Sequence, residues 1–269
     1  IGQKLRREQF DIGLALPNSH RSALELWLAG IPQRIGYARF GRNLFLTKSI
    51  QPRVGAVEMH KRSVAEINDL VAGRKIKDDA PLPPQAHHIF QYLHLVAALG
   101  AKAEPLAPRL EISESAVVEF RARLQKVSGN ETGLWLGLNP GAEYGPAKRW
   151  PAERFITAAI ELHQKTNCGW IIFGANYPVT SHVAGELEAK LGKSCPVNFC
   201  GKTTLPELCA GLKFCRLVLT NDTGPMHIAA ALGTPVVVPF GSTSAELTGP
   251  TFSQKNALIT ASVPCSPCF

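Results

Sequence analysis

Short apolar runs alternate with longer amphipathic stretches through the second half of the chain. Runs of this length, bounded by turn residues, are typical of strands buried in a parallel sheet, and the amphipathic stretches are typical of helices. The predicted strands cover residues 134–139, 170–174, 197–200, 217–221 and 235–240. The predicted helices cover residues 151–165, 179–191, 205–211 and 225–232. Thr204 followed by Glu207 predicts a capping box for the third of these helices. The alternation predicts a parallel sheet with right-handed crossovers.

The first half of the chain carries a similar but sparser pattern. It predicts strands at 10–18 and 34–37 and helices at 19–29, 57–71 and 86–99. A proline-containing stretch at 101–113 has the composition of a linker and leads into a helix predicted at 113–126. We therefore expect two α/β domains: residues 1–105 form an N-terminal domain that lacks its first strands, and residues 106–269 form a nearly complete C-terminal domain.

The charge of the chain narrows the kind of partner it binds. The chain has 269 residues, of which 45% are hydrophobic, and a net charge of +8. This excess indicates an acidic partner, which leaves nucleic acid, an anionic membrane surface or a phosphorylated substrate. The basic residues form no dense tract with interleaved aromatics, which disfavours nucleic acid. No apolar run approaches the roughly 20 residues of a membrane-spanning helix. Because the chain begins with Ile1 and stops at Phe269 just after a C-x-x-C, we interpret it as a fragment.

Seven cysteines are scattered through the predicted strands and helices. An odd number in a chain of this length argues against a disulfide framework and favours a reducing compartment, the cytosol. Cys265 and Cys268 form a C-x-x-C motif, which would need two further ligands to bind zinc and is otherwise a turn. The sequence predicts no metal site.

Polar residues follow the strand predicted at 217–221. Asp222 lies at its carboxyl end, where open α/β sheets bind ligands. Thr223 and Gly224 come next, at the start of a helix whose backbone N–H groups form an anion site. Asp222 is alternatively the N-cap of this helix. His227, one turn further along, is either a second polar group of the site or a histidine of the core.

A glycine-rich loop follows the strand predicted at 134–139. It contains Gly141 and Gly145, and then the two cations Lys148 and Arg149. Such a loop is able to approach a diphosphate, but it matches neither the dinucleotide fingerprint nor the P-loop. When this loop is considered by itself, an ordinary strand-to-helix connection explains it equally well.

Together these stretches resemble a known family. NPGAEYGPAKRWPAERF, FCGKTTLPEL and TNDTGPMHIAAALGTPVVVPFGSTS are similar to glycosyltransferase family 9, the ADP-heptose:lipopolysaccharide heptosyltransferases. The loop form PGAEYGPAKRWP, the stretch LPNSHRSALELWLAGIPQRIGY and the terminal PCSPCF resemble the heptosyltransferase II group of that family.

The resemblance implies an α/β fold of the GT-B class, in which two Rossmann-like domains face each other across a cleft. It implies inverting transfer of heptose from ADP-heptose to the lipopolysaccharide inner core, without a metal ion or other cofactor. Lys148 then contacts the diphosphate and Asp222 the sugar, and both are the predicted catalytic residues. The predicted donor-binding residues are Asn139, Gly141, Lys148, Thr203, Thr204, Asp222, Thr223, Gly224 and His227. The general base of the family is an aspartate that we expect outside this chain.

The resemblance places the acceptor in the N-terminal domain. The acceptor candidates follow a predicted strand or begin a predicted helix. They are Asn18, Ser19, Arg21, His60 and Arg62. A solvated basic face explains them as well. The expected location is cytoplasmic, with peripheral contact to the anionic face of the inner membrane and no nucleic acid partner. Two alternatives are another sugar or acceptor within the same family, and a non-catalytic module that binds a nucleotide sugar.

Overall fold

The computed structural model describes residues 1–57, 61–74, 82–83, 85–129, 133–143, 145–192, 195–250, 255–261 and 263–268. The chain divides into two compact units. The first comprises Ile1–Met59 and Ala80–Pro105, and the second comprises His60–Asp79 and Leu106–Phe269. This division differs from the predicted continuous domain of residues 1–105, because the segment 60–79 belongs with the second unit.

The first unit is built on a small parallel sheet. Its strands are β1 (Ile12–Ala15), β2 (Gln33–Tyr37) and β3 (Lys48–Ile50), in that order across the sheet. The helices of this unit are α1 (Gly2–Arg7), α2 (His20–Leu28) and α4 (Ile89–Ala97), and a 3-10 turn covers Arg42–Phe45.

The second unit contains a six-stranded sheet in which every pairing is parallel. Its strands are β4 (Trp135–Asn139), β5 (Gly169–Ile172), β6 (Val197–Asn198), β7 (Val218–Thr220), β8 (Val236–Phe240) and β9 (Asn256–Thr260). Its helices are α3 (Val64–Val71), α5 (Glu114–Ser128), α6 (Ala152–Thr166), α7 (Pro178–Leu191), α8 (Leu205–Phe214), α9 (Gly224–Ala231) and α10 (Ala245–Thr248). None of the helices in the described ranges is long and apolar enough to span a membrane.

The order of the strands in this sheet defines where a ligand binds. The order is β6-β5-β4-β7-β8-β9, so the chain starts at the centre, runs to one edge and then returns to fill the other half. This is the strand order of doubly wound nucleotide-binding domains, whose ligands bind where the order reverses. Here the reversal lies between β4 and β7, so the loops that follow these two strands flank the expected binding crevice.

Alternate side chains of the central strands pack two separate apolar layers. One layer includes Trp135 and Ile171 and packs against Phe120 of α5. The other includes Leu136 and Trp170, which neighbour them in sequence. Successive strand residues point to opposite faces, so both faces of this sheet are covered and the strands read as continuous apolar runs.

Most predicted elements of the second unit are confirmed within a few residues, including the Thr204–Glu207 capping box. Two predictions in the chain need correction. The helix predicted at 57–71 begins at Val64, because Ser63 and Glu66 form a capping box there, and residues 58–60 lie outside the described part. The helix predicted to end at Gly211 continues to Phe214. Gly211 is not its terminator, and a Cβ there would lie 2.7 Å from ring atoms of Phe120 and Phe173.

Candidate functional site

Three loops meet at the carboxyl ends of β4, β7 and β8. Lys148 lies in a 3-10 turn, Pro146–Lys148, on the loop that follows β4. Asp222 follows β7, and Thr243 follows β8. The predicted pair Lys148 and Asp222 therefore flanks the point where the strand order reverses.

Two of these side chains, Lys148 and Thr243, contact one carboxylate oxygen of the third, Asp222. Lys148 Nζ lies 2.8 Å from Asp222 Oδ2, and the two side chains are 18% and 6% exposed. Thr243 Oγ1 donates a second hydrogen bond of 2.7 Å to the same Oδ2. Thr243 is itself only 3% exposed. The carboxylate is therefore neutralised by the lysine and oriented by the hydroxyl, as a largely buried charge requires.

Two buried asparagines hold the loops beneath this cluster. Asn221 Oδ1 accepts from the backbone N–H of Trp150 at 2.9 Å, and its Nδ2 donates to the Pro140 carbonyl at 2.8 Å. Asn139 Nδ2 donates to Thr220 Oγ1 at 2.9 Å across the ends of β4 and β7. Asn139 is only 2% exposed and Asn221 is fully buried. Asn221 thus fixes the loop that carries Lys148 to the strand that carries Asp222.

The glycine-rich loop packs on the start of α7. Gly141 is buried, and a Cβ on it would lie 3.1 Å from the Tyr177 ring. Tyr177 donates a short hydrogen bond to Glu143, and the Arg149 guanidinium lies over its ring. Arg149 also donates to the Ala142 carbonyl at 3.0 Å. Of the two predicted cations, Arg149 therefore stabilises the loop, and Lys148 faces the acidic residue of the site.

Asn139 and Gly141, two of the predicted donor-binding residues, lie beneath the cluster. Both are buried with neighbours inside the protein, because the amide joins two strand ends and the glycine accommodates an aromatic ring. They support the site from below, and their contact with the donor stays a prediction.

The start of α9 settles two alternatives that the sequence left open. The N-cap of α9 is Thr223, and Asp222 makes its hydrogen bonds with Lys148 and Thr243, so the N-cap interpretation of Asp222 is wrong. His227 is exposed, so it is not a histidine of the core. Gly224 is exposed as well, and apart from its own helix turn no atom of the described residues lies within 4 Å of the position of a Cβ. Open space in front of Gly224 permits a ligand to approach the backbone closely.

The loop before α8 carries Thr203 and Thr204. The Thr204 hydroxyl donates to Glu207 Oε2 at 2.9 Å and accepts from the Glu207 N–H, so its side chain serves the helix cap. Hydrogen bonds from the Thr204 backbone and side chain hold the pKa of Glu207 below its usual value. Arg123 on α5 binds Glu207 Oε1 at 2.6 Å and the Lys202 carbonyl at 2.8 Å. The loop is therefore fixed at both ends, and Thr203 lies half-exposed between them.

The C-x-x-C segment lies beside the loop that follows β8. Ser266 Oγ donates to the Gly241 carbonyl at 2.6 Å, and the Cys268 N–H donates to the Ser242 carbonyl at 3.1 Å. All seven cysteines are free thiols, and burial raises the pKa of Cys200 to about 12. Within the described ranges, no three His, Cys, Asp or Glu side chains are grouped to hold a metal ion.

The acceptor candidates fall in both units. In the first unit, Asn18, Ser19 and Arg21 lie between the end of β1 and the first turn of α2, where Ser19 is the N-cap. Arg21 pairs with Glu25 at 2.8 Å on an exposed face. In the second unit, Arg62 is half-exposed before α3. His60 lies outside the described residues.

A buried arginine that the sequence did not single out organises the first of these groups. Arg42 is fully buried and donates to the Ser19 carbonyl at 3.1 Å and to the Pro17 carbonyl at 2.8 Å. It also donates to the Tyr37 carbonyl at 2.5 Å. Burial lowers its pKa from the usual value. Arg42 therefore fixes the loop after β1 to the end of β2.

Comparison with known proteins identifies the family. A model described as glycosyltransferase family 9 (heptosyltransferase) matches residues 1–269. The lipooligosaccharide heptosyltransferase 2 of Haemophilus influenzae is 31% identical over 96% of this chain and 68% of its own length. The lipopolysaccharide heptosyltransferase 2 of Escherichia coli is 30% identical over 93% of this chain and 65% of its own length. The chain thus spans about two thirds of the length of these curated relatives.

A solved structure agrees with the sequence relatives. The ADP-heptose lipopolysaccharide heptosyltransferase II of Escherichia coli superposes with a TM-score of 0.71 at 26% identity, over 96% of this chain and 70% of that one. This similarity confirms the predicted α/β fold of the GT-B class. The chain belongs to glycosyltransferase family 9, the heptosyltransferases.

Proposed function

We propose that the protein transfers heptose from ADP-heptose to the inner core of lipopolysaccharide, with inversion at the sugar carbon. The observation that carries this proposal is the Lys148–Asp222 pair, a cation and a carboxylate 2.8 Å apart at the reversal point of a doubly wound sheet. The relatives of Haemophilus influenzae and Escherichia coli bear the name heptosyltransferase 2 and support this donor and acceptor.

In this proposal, donor binding exchanges the partners of the pair. The diphosphate takes Lys148 Nζ, and a hydroxyl of the heptose donates to the Asp222 carboxylate that the lysine releases. An ammonium on a flexible stem is suited to such an exchange, because it moves as a compact charge. Before the donor arrives, the two charges of the pair compensate each other. After the donor has bound, both charges interact with the donor.

The same groups stabilise the leaving ADP. Negative charge grows on the diphosphate as the bond to the sugar carbon lengthens, while the sugar approaches an oxocarbenium-like state. Lys148 and the backbone N–H groups of Thr223 and Gly224 meet that charge, and the fixed positions of the backbone groups make them effective. His227 adds a polar group on the same helix, and Thr203 and Thr204 contribute to the adenosine side of the site.

The proposal also covers where the acceptor binds and which membrane surface the protein contacts. Asn18, Ser19, Arg21, His60 and Arg62 are the proposed acceptor-binding residues. The net charge of +8 supports binding of a phosphorylated acceptor and peripheral contact with the anionic cytoplasmic face of the inner membrane.

Replacing Asp222 by Asn tests the role of the carboxylate in the whole protein. Asn keeps the size of the side chain and removes the charge. We expect ADP to bind as in the wild type, and transfer from ADP-heptose to fall about 10- to 100-fold, because a hydrogen bond to a charged group is lost. Steady-state transfer and ADP inhibition measure the two effects. Asp69→Asn, which removes a carboxylate from an exposed pair with Arg74, is the matched control. Unchanged transfer by the Asp222 variant would remove the carboxylate from the mechanism.

A further inference from the structure

Asp222 receives both of its hydrogen bonds on one oxygen. Lys148 Nζ and Thr243 Oγ1 donate to Oδ2 at 2.8 and 2.7 Å. No hydrogen bond among the described residues uses Oδ1. The two oxygens of the carboxylate are therefore in different environments before any ligand is present.

The two donors to Oδ2 differ in how firmly they are held. The Lys148 side chain is 18% exposed and ends a flexible four-carbon stem. Thr243 is 3% exposed, and its branched side chain has a restricted χ1 angle. When a diphosphate draws the lysine away, the threonine hydroxyl is the donor that stays with the carboxylate.

The backbone around Thr243 is fixed on both sides. The preceding residues accept hydrogen bonds from the C-terminal segment, at the Gly241 carbonyl from Ser266 and at the Ser242 carbonyl from Cys268. The following residue, Ser244, is the N-cap of α10, and its carbonyl accepts from Thr248. The hydroxyl of Thr243 is thus placed by a braced loop.

We propose that Thr243 is a positioning residue that holds Asp222 through Oδ2, so that Oδ1 faces the donor sugar after Lys148 has moved to the diphosphate. This inference rests on the proposed function. Thr243 acts through Asp222, because its own side chain is buried. It therefore determines how well the sugar is oriented and leaves the nucleotide contacts unchanged.

Valine and serine variants of the whole protein test this role. Thr243→Val keeps the shape and removes the hydroxyl, and Thr243→Ser restores a hydroxyl. The matched control is Thr234→Val, since Thr234 is 4% exposed and donates to the Leu212 carbonyl at 3.0 Å, away from Asp222.

We expect Thr243→Val to lower kcat/KM for ADP-heptose about 10- to 100-fold, the range for a lost hydrogen bond to a charged group. Inhibition by ADP should stay at the wild-type value, and Thr243→Ser should regain most of the activity. Thr243→Ala provides the same comparison should the valine variant not fold.

A double variant separates a positioning role from a general loss of packing. If Thr243 acts through Asp222, adding Thr243→Val to Asp222→Asn should cost little further activity. The inference is overturned if Thr243→Val transfers like the wild type, if Thr234→Val loses as much, or if ADP inhibition weakens in parallel with transfer. Absence of transfer by the wild type itself would instead overturn the proposed function.

Discussion

At the scale of single residues, Lys148 joins two loops that are 74 positions apart in the sequence. In the proposed mechanism, removing its ammonium takes away one cation that meets the developing charge of the leaving diphosphate. We expect Lys148→Ala to lower kcat by roughly 100-fold, which corresponds to about 3 kcal/mol. Steady-state kinetics of the whole protein with ADP-heptose measure the effect. Lys190→Ala, which removes an exposed lysine 3.6 Å from Glu186, is the control.

An arginine at the same position distinguishes charge from geometry. Lys148→Arg keeps the positive charge but replaces a compact ammonium with a planar fork, so we expect only partial recovery. Activity of Lys148→Ala equal to that of the wild type would remove this residue from the mechanism.

The sequence located Lys148 and Asp222 but not the residues that hold them. Lys148 follows a glycine-rich loop and Asp222 ends an apolar run, and both patterns are local. Asn221 and Thr243 acquire their roles only because β4, β7 and β8 lie side by side. Thr243 is 21 positions from Asp222, and no short pattern connects the two residues. The local signal is weak: Asn221 directly follows β7, and the polar residues Ser242 and Thr243 begin two positions after β8.

At the scale of elements, α8 packs closely against the sheet at Gly211. A Cβ there would lie 2.7 Å from Phe120 Cζ and from Phe173 Cε1. We expect Gly211→Ala to lower the free energy of unfolding by about 1–3 kcal/mol, the usual cost of overfilling a packed core. Urea denaturation of the whole protein measures this change.

Gly185 in α7 provides a matched control for Gly211. It is also a helical glycine, but outside its own helix no atom in the described part of the chain lies within 4 Å of the position of a Cβ. Gly185→Ala should raise the free energy of unfolding by roughly 0.5–1 kcal/mol, because alanine loses less backbone entropy in a helix. A stabilising effect at both positions would contradict the close packing of α8.

Local patterns predicted the buried strands and missed two strands that are mostly exposed. The central strands of the second sheet were found because both of their faces are buried, so they read as apolar runs. β9 and β3 are both mostly exposed along their lengths, so neither forms such a run. The local pattern places the end of the helix at the glycine within α8. This glycine is required by a tertiary contact, which no local signal reveals.

At the scale of the whole molecule, the second unit has the strand order of a nucleotide-binding domain. The first unit has a separate parallel sheet whose strand-end loop carries Asn18, Ser19 and Arg21. Among the described residues the two sheets share no strand, so the proposed donor and acceptor sites are each built on their own scaffold. This separation is consistent with the proposed two-substrate reaction.

The identity of the donor is the most direct test of the proposed function. The whole protein is incubated with a lipopolysaccharide acceptor that lacks the inner-core heptose, together with ADP-heptose or with UDP- and GDP-sugars in parallel. Release of the nucleoside diphosphate and the mass of the acceptor are measured for each donor. The proposed function predicts that ADP-heptose alone releases its nucleotide and adds one heptose to the acceptor. Transfer from a UDP- or GDP-sugar at an equal rate, or no transfer from ADP-heptose, would contradict it.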